Sequence, residues 1–164
     1  MPPDPHFLAD AMLGRLARWL RALGFDTRFD SSLDDPELVT LANAESRILL
    51  TRDRHLVTHL QPAQPLLVAY DSPIEQLRQV IDACNLEAPR VLFTRCLICN
   101  VSLRKASGEE VLLQCPHPAS SLPEPAMCCP HCRRLYWHGS HTRRMCDTLK
   151  KALPGWLQQQ DIER

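Results

Sequence analysis

Hydrophobic residues in the first half of the chain alternate between two spacings, one typical of strands and the other of helices. Apolar runs of strand length occur at residues 6–9, 25–29, 47–51 and 65–70. Segments with helical spacing follow them at residues 11–23, from residue 35, at 54–60 and at 72–84. This repeated strand–helix order predicts an α/β fold with a doubly wound, mainly parallel sheet and helices on both faces.

Sequence signals at the helix ends refine this prediction. Gly24 follows the first helix as a C-terminal glycine. Asp35 is predicted to cap the second helix, with Pro36 in its first turn. Ser72 and Glu75 predict a capping box at the start of the last helix. The residues that follow each strand are therefore expected to lie at the beginning of a helix.

Aspartates follow the predicted strands at these same positions. Asp10 ends the first strand, Asp53 lies two residues past the third, and Asp71 directly follows the fourth. Asp34 and Asp35 lie at the start of the second helix. Because the carboxyl ends of parallel strands share one edge of a sheet, these acids are expected to converge there. Converging carboxylates need a cation, and oxygen ligands suit Mg²⁺ or Mn²⁺. Taken singly, each acid could be a helix cap or a turn residue, and for Asp71 the turn is favoured.

Three arginines lie on the first helix, opposite an apolar stripe. The stripe consists of Met12, Leu13, Leu16, Leu20 and Leu23. Arg15 and Arg18 occupy the first turns, near the predicted acidic edge, and are candidate phosphate ligands together with Arg52. Arg21 lies farther along and is predicted to be solvated. The alternative for all three helix arginines is an ordinary solvated face.

Composition changes near residue 90. Residues 1–90 contain 13 acidic residues, 9 arginines and no lysine, whereas residues 91–164 contain 6 acidic and 10 basic residues. Seven of the eight cysteines follow residue 95. These coincident shifts predict an α/β domain over residues 1–90, a cysteine-rich module with a Pro-rich insertion over 91–150, and a C-terminal tail over 151–164.

The cysteine-rich module contains two C-x₂-C pairs, CLIC at 96–99 and CPHC at 129–132. Two such pairs predict a tetrahedral zinc site made by Cys96, Cys99, Cys129 and Cys132, with a structural role because no ligand position stays open. Other candidate ligands are Cys115, Cys128, Cys146 and His131. A disulfide such as Cys115–Cys128 is a further alternative. Prolines between the pairs predict an exposed loop, at positions 116, 118, 123 and 125.

The stretch after the second pair combines aromatic and basic residues. Tyr136 and Trp137 lie close in sequence to four arginines, at positions 133, 134, 143 and 144. Stacking faces beside cationic groups are typical of surfaces that bind single-stranded nucleic acid. Alternatively, the two aromatic residues cover the small zinc module.

Nothing in the sequence predicts a membrane or secreted protein. No apolar run reaches the roughly 20 residues of a membrane helix. The first residues have no basic segment followed by an apolar one, so we expect a cytoplasmic protein.

Four stretches together resemble one known family: FLADAMLGRLARWLRALGFDT (7–27), LLTRDR (49–54), RCLICN (95–100) and CPHCRRLYWHGSHTRRM (129–145). They are similar to the Mut-seven C-terminal ribonuclease family, in which a PIN-type nuclease fold is followed by a zinc ribbon. The resemblance covers nearly the whole chain in the family's order. It implies a PIN-like nuclease domain followed by a small C-terminal zinc ribbon.

The resemblance also implies a metal-dependent ribonuclease. The acids of the PIN type correspond to Asp10 and Asp53, and the acid heading the second helix corresponds to Asp34 or Asp35, with Asp35 favoured. Asp10, Asp35 and Asp53 would hold Mg²⁺ or Mn²⁺, and Asp71 is assigned by position alone. The ribbon would contact RNA or a partner such as tRNA or the ribosome. The alternative is a non-catalytic RNA- or protein-binding adaptor that uses the zinc ribbon.

Overall fold

Four short strands form a parallel sheet in the order β2-β1-β3-β4. The strands are β1 (Phe7–Ala9), β2 (Thr27–Phe29), β3 (Ile48–Thr51) and β4 (Pro65–Leu67). This computed structural model describes residues 4–114 and 125–157. Three of the four insertion prolines, together with Cys115, therefore lie outside the described residues. The predicted α/β class and parallel sheet are confirmed.

Helices cover both faces of this sheet. They are α1 (Gly14–Ala22), α3 (Pro73–Ala83) and α5 (Ser140–Ala152) on one face, and α2 (Asp35–Ala44) with a π-helix at Leu56–Leu60 on the other. A 3-10 turn at Ala11–Leu13 precedes α1, and a short α4 (Gly108–Gln114) has no buried residue and lies outside both cores. Phe7 of β1 packs in a core formed with α1, α3 and α5. Its neighbour Leu8 packs in a second core formed with α2 and the π-helix. The side chains of successive residues of β1 thus pack on opposite faces of the sheet, as the alternation of side chains along a strand requires.

A second sheet lies in the C-terminal part of the chain. Its antiparallel strands β5 (Arg104–Lys105), β6 (Met127–Cys128) and β7 (Leu135–Tyr136) follow the order β5-β6-β7. In this sheet β6, which directly precedes the second cysteine pair, lies between β5, which follows the first pair, and β7, which follows the second.

The last helix joins the C-terminal part to the first core. Leu149 of α5 is fully buried among residues of α1 and α3, and Leu153 and Leu157 follow it into the same core. The indole of Trp156 donates a hydrogen bond to the carbonyl of Leu86 at 3.0 Å. The main core therefore extends across residue 90 and includes part of the segment predicted as a tail.

The second helix begins one residue earlier than its predicted cap implies. Asp34, and not Asp35, is the N-cap: its carboxylate accepts a bond from the Glu37 N–H at 2.9 Å, and Glu37 returns one to the Asp34 N–H. The prediction for Asp35 was wrong because the Leu38 N–H, which that carboxylate would need, already bonds to the Asp34 carbonyl. Ser72 precedes α3 as expected, but its hydroxyl makes no capping bond.

No helix among the described residues is long and apolar enough to cross a membrane.

The start of α1 depends on a close contact between Gly14 and Phe29. A Cβ at position 14 would lie 2.9 Å from the Phe29 ring. We expect Gly14→Ala to destabilise the fold by about 1 kcal/mol, because overpacking costs about 1–3 kcal/mol and alanine returns about 1 kcal/mol of helix propensity. Urea unfolding measures the change.

Gly108→Ala is the matched control, since no atom lies within 4 Å of the added methyl group and stability should not fall. Replacing Phe29 with leucine in the Gly14→Ala protein should recover part of the loss. A Gly14→Ala protein as stable as the parent would contradict the contact.

Candidate functional site

Asp10 lies buried at the carboxyl end of β1, with 8% of its surface exposed. One carboxylate oxygen accepts a hydrogen bond from the Met12 N–H at 2.9 Å and so caps the 3-10 turn. The other accepts bonds from the Thr51 hydroxyl at 2.6 Å and from the Arg52 N–H at 3.2 Å. The carboxylate is therefore held in one orientation by donors from the 3-10 turn after β1 and from the end of β3.

Thr51 connects Asp10 to the next predicted acid. Its hydroxyl donates to Asp10 and accepts a bond from the Asp53 N–H at 3.0 Å. The Asp53 carboxylate is exposed and accepts a bond from the His55 N–H at 2.7 Å. The role of Thr51 at this site was not predicted from the sequence, although a polar residue at the end of an apolar strand indicates a candidate site residue.

The remaining acids lie at the same edge but remain separate. Asp71 is exposed and pairs with Arg52, while Asp34 and Asp35 are exposed at the start of α2. Because all four strands are parallel, these positions share the carboxyl edge of the sheet. Among the described residues, however, no three carboxylates bring oxygen atoms within 4.8 Å of one another.

The arginines of α1 have three different environments. Arg15 is exposed, and Arg18 is exposed with its guanidinium 3.2 Å from Nε2 of His141. Arg21 is only 5% exposed, so the prediction that it is solvated was wrong. The reason is tertiary: the first cysteine pair packs over this part of α1 and supplies carbonyl acceptors.

Arg21 joins α1, β2 and the first cysteine pair. Its guanidinium donates to the carbonyl of Thr27 at 2.8 Å and to those of Leu97 and Ile98 at 3.0 and 2.9 Å. Burial lowers the pKa of Arg21, and the charges of Cys96 and Cys99 act in the opposite direction. A buried cation needs such acceptors because desolvation is costly.

Asn100 makes a second connection between the same segments. Its amide oxygen accepts a bond from the Thr27 N–H at 3.0 Å, and its amide nitrogen donates to Asp26 at 2.9 Å. Asp26 also accepts a bond from Arg47 at 2.6 Å. Burial opposes ionisation of Asp26, but the bonds from Arg47 and Asn100 outweigh it and lower its pKa. These hydrogen bonds connect the segment after the first cysteine pair to the amino ends of β2 and β3.

The four predicted zinc ligands meet at one point. The sulfur atoms of Cys96, Cys99, Cys129 and Cys132 all lie within 4.8 Å of one another. The Cys96 and Cys132 sulfurs are 3.7 Å apart. Four thiols at this spacing are positioned to bind a metal such as zinc, which tetrahedral thiolate sites prefer.

Each cysteine pair forms the same tight turn. The Cys99 N–H points to the Cys96 sulfur at 3.3 Å, and the Cys132 N–H points to the Cys129 sulfur at 3.5 Å. A residue in the left-handed conformation directly follows each pair, Asn100 with φ 66° and Arg133 with φ 63°. Neither residue is a glycine. The N–H groups aimed at sulfur favour thiolates, which are the form that binds metal.

The pKa values of the Cys96 and Cys99 thiols also fit a cation between the four sulfur atoms. Burial opposes the Cys96 thiolate, but hydrogen bonds from Tyr136 and from the backbone lower its pKa to about 7. Burial and the neighbouring cysteines raise the pKa of Cys99 to about 12. Without a cation, therefore, only part of the cluster ionises near neutral pH, and a bound metal would stabilise the rest.

Tyr136 covers this cluster. Its hydroxyl lies 3.1 Å from the Cys96 sulfur and accepts a bond from the Leu97 N–H at 3.1 Å. The interpretation of Tyr136 as a cover for the cysteine module therefore has support in the structure. Trp137 points elsewhere and is 37% exposed.

The other described cysteines stay outside the cluster. Cys84, Cys128 and Cys146 are free thiols, and burial raises the pKa of each. Cys129, and not its neighbour Cys128, lies in the four-sulfur group, as the x₂ spacing predicted. His131 is exposed and is not part of the group.

The fold and these sites define an α/β protein with acids at the carboxyl edge of a parallel sheet and four cysteines positioned to bind a metal. A family model described as the Mut7-C RNAse domain matches residues 5–149. No curated protein and no solved structure matches the chain significantly. Because the family match spans most of the sequence, the chain belongs to the Mut7-C RNAse domain family, as its motifs indicated. Membership suggests a ribonuclease-related role, with RNA as the substrate.

The four-cysteine cluster predicts one tightly held zinc ion per chain. Cys96→Ser should lower the zinc content to well below one ion per chain, because three remaining thiols leave the site incomplete. Elemental analysis after dialysis measures the content. Cys128→Ser is the matched control, since Cys128 is buried next to Cys129 but outside the cluster. Loss of zinc in the Cys128 variant alone would show that the ligand assignment is incorrect.

Arg21 should stabilise the whole fold. Arg21→Met leaves three carbonyls without their donor, so we expect a loss of about 3 kcal/mol in the free energy of unfolding. Chemical denaturation of the zinc-loaded protein measures it. Arg15→Met, an exposed change on the same helix, should stay within about 0.5 kcal/mol of the parent. If Arg21→Met and Arg15→Met have the same free energy of unfolding, the structural role assigned to Arg21 is contradicted.

Proposed function

We propose that this chain is a metal-dependent, PIN-like ribonuclease that hydrolyses RNA phosphodiester bonds at the carboxyl edge of its parallel sheet. The observation that carries the proposal is the fixed Asp10 carboxylate, linked through Thr51 to Asp53 at that edge. Membership of a ribonuclease domain family supports the choice of RNA as the substrate.

The donors at this edge fit a hard divalent ion. Carboxylate oxygens from several strand ends are the ligand type that Mg²⁺ and Mn²⁺ prefer. Asp10, Asp35 and Asp53 would hold the ion, with Asp34 and Asp71 at the same edge. When bound, such an ion supplies an activated water and stabilises the leaving oxygen.

The neighbouring side chains have separate roles in this proposal. Thr51 keeps the Asp10 carboxylate oriented, because its hydroxyl occupies one carboxylate oxygen at 2.6 Å. Arg52 is held at the edge by Asp71 and is available for a substrate phosphate. Arg15 lies in the first turn of α1, which starts from the same edge, and would contact a flanking phosphate. The four-cysteine site is structural, and the C-terminal zinc ribbon around it assists RNA or partner binding.

A non-catalytic adaptor is the second candidate function. The observation in its favour is that no three carboxylates among the described residues come within 4.8 Å. In that case RNA or protein binding by the C-terminal part of the chain would be the whole function.

Cleavage of a fluorescent RNA tests the proposal. We expect zinc-loaded protein to cleave it only with Mg²⁺ or Mn²⁺, and Asp53→Asn and Asp10→Asn to slow cleavage by about 100-fold or more, since each removes a charged oxygen ligand. Asp82→Asn, an exposed change on α3, serves as the control and should cleave at the parent rate. Absence of cleavage by the parent on several RNAs, with RNA binding intact in all four proteins, would favour the adaptor.

A further inference from the structure

A groove of about 410 Å³ lies between α1, β7 and the beginning of α5. Arg18 contributes from α1, Arg134 precedes β7, and Trp137 and His141 contribute from the segment leading into α5. The groove lies away from the carboxylates discussed above, as none of the five lines it. It is therefore a separate surface, to which both halves of the chain contribute.

Among the residues that the structure describes, the arginines of this groove have no carboxylate partners. Within residues 4–114 and 125–157, neither Arg18 nor Arg134 forms an ion pair, and both are exposed. Arg18 instead shares a hydrogen bond with His141 at 3.2 Å. Other arginines form ion pairs with carboxylates: Arg47 pairs with Asp26, and Arg104 pairs with Glu110. The groove thus has positive charge available for an anionic ligand.

Trp137 presents a fixed aromatic face to the groove. Its carbonyl accepts bonds from the Gly139 N–H and the Thr142 hydroxyl, both at 2.8 Å. The indole lies against Gly139, where a Cβ would come within 2.7 Å of its Nε1. The backbone and the absence of a side chain at position 139 therefore set the position of the ring.

The same indole also lines an apolar pocket of about 230 Å³. Trp137 and Tyr136 line both this pocket and the groove, and Val91 and Met127 line the pocket alone. A ligand that fits both would combine a flat apolar group with an adjacent anion. A nucleotide has this combination, with its base and its phosphate.

We propose that the groove binds a segment of single-stranded RNA, with a base stacked on Trp137 and phosphates on Arg18 and Arg134. The choice of RNA rests on the proposed function. The choice of a nucleotide-containing ligand rests on the residues that line the groove. An acidic peptide would use the arginines but would gain little from an aromatic face beside an apolar pocket. Single strands are preferred because a paired base is not free to stack on a side chain.

The test uses the full zinc-loaded chain carrying Asp53→Asn, without added Mg²⁺ or Mn²⁺, so that RNA is not cleaved. Fluorescence anisotropy of a labelled single-stranded oligouridine gives Kd at several salt concentrations. We expect Trp137→Ala to weaken binding about tenfold, and Trp137→Phe to retain most of it, because phenylalanine keeps a stacking face.

The arginine variants test the phosphate contacts. Arg18→Gln and Arg134→Gln should each lower the slope of log Kd against log salt by about 0.7, the value for one phosphate contact on a single strand. Arg78→Gln is the matched control, an exposed arginine on α3 that makes no ion pair in the described part of the chain. It should leave Kd and slope unchanged.

Zinc content and circular dichroism are measured for every variant. Arg18 lies on α1, so its variant tests the groove even if Trp137→Ala disturbs the cysteine site. Gly139→Ala gives a further test, because its methyl group would displace the indole without removing it, and we expect weaker binding.

Parent-like Kd and salt slopes in the Trp137, Arg18 and Arg134 variants would overturn the proposal. So would Trp137-dependent binding of labelled polyglutamate as tight as that of RNA. Cleavage assays with Asp53 intact separate this result from the proposed hydrolysis. If the parent cleaves RNA and the groove variants bind RNA normally, only the proposal for the groove is rejected. If the parent does not cleave RNA but its RNA binding depends on the groove residues, only the proposal of hydrolysis is rejected.

Discussion

The buried guanidinium of Arg21 is the interaction on which the arrangement of this molecule depends. It lies under the first cysteine pair and donates to three backbone carbonyls, one in β2 and two between Cys96 and Cys99. A charge in this position is stable only while those acceptors stay in place, since the cost of desolvating it is large. The cysteine turn and the parallel sheet therefore hold each other in position.

This constraint makes the four-cysteine site part of the main fold. Asn100, directly after the first pair, bonds to Thr27 of β2 and to Asp26, which in turn accepts a bond from Arg47 before β3. Metal bound by the cysteines would thus also restrain the sheet, because the same residues form the turn and contact the strands. The burial of Leu149 and Leu153 in the main core connects the second cysteine pair to the same unit through α5.

The arginines show how the same residue type serves structure and recognition in one protein. Arg21 and Arg47 are surrounded by acceptors and hold elements together. Arg15, Arg18 and Arg134 are exposed and make no ion pair among the described residues. Phosphates would supply the missing anions, at the carboxyl edge for Arg15 and in the Trp137 groove for the other two. The two proposed RNA contacts are connected by α1, where Arg15 lies in the first turn and Arg18 lies three residues further along.

Local patterns in the sequence determined the four strands of the parallel sheet, the helical segments that follow them and the four cysteines of the cluster, but not β5, β6, β7, α4 or α5. Those features depend on hydrophobic period and on short spacings, both of which are properties of neighbouring residues. Asp10 and Asp53 could be placed at one edge for the same reason, because parallel strands share their carboxyl ends. Their exact relation through Thr51 could not, since a strand pattern does not specify which hydroxyl faces which acid.

Only the tertiary structure decided the roles of Arg21 and Asn100. Arg21 occupies a polar position of an amphipathic helix, which predicts exposure, yet two of its three carbonyl acceptors lie 76 and 77 residues away in the chain. Asp34 displaced Asp35 as the helix cap because one backbone N–H was already bonded. The sequence determined which groups need partners, whereas the packing of distant segments determined which partners they have, because hydrogen bonds between such segments form only when the whole chain is folded.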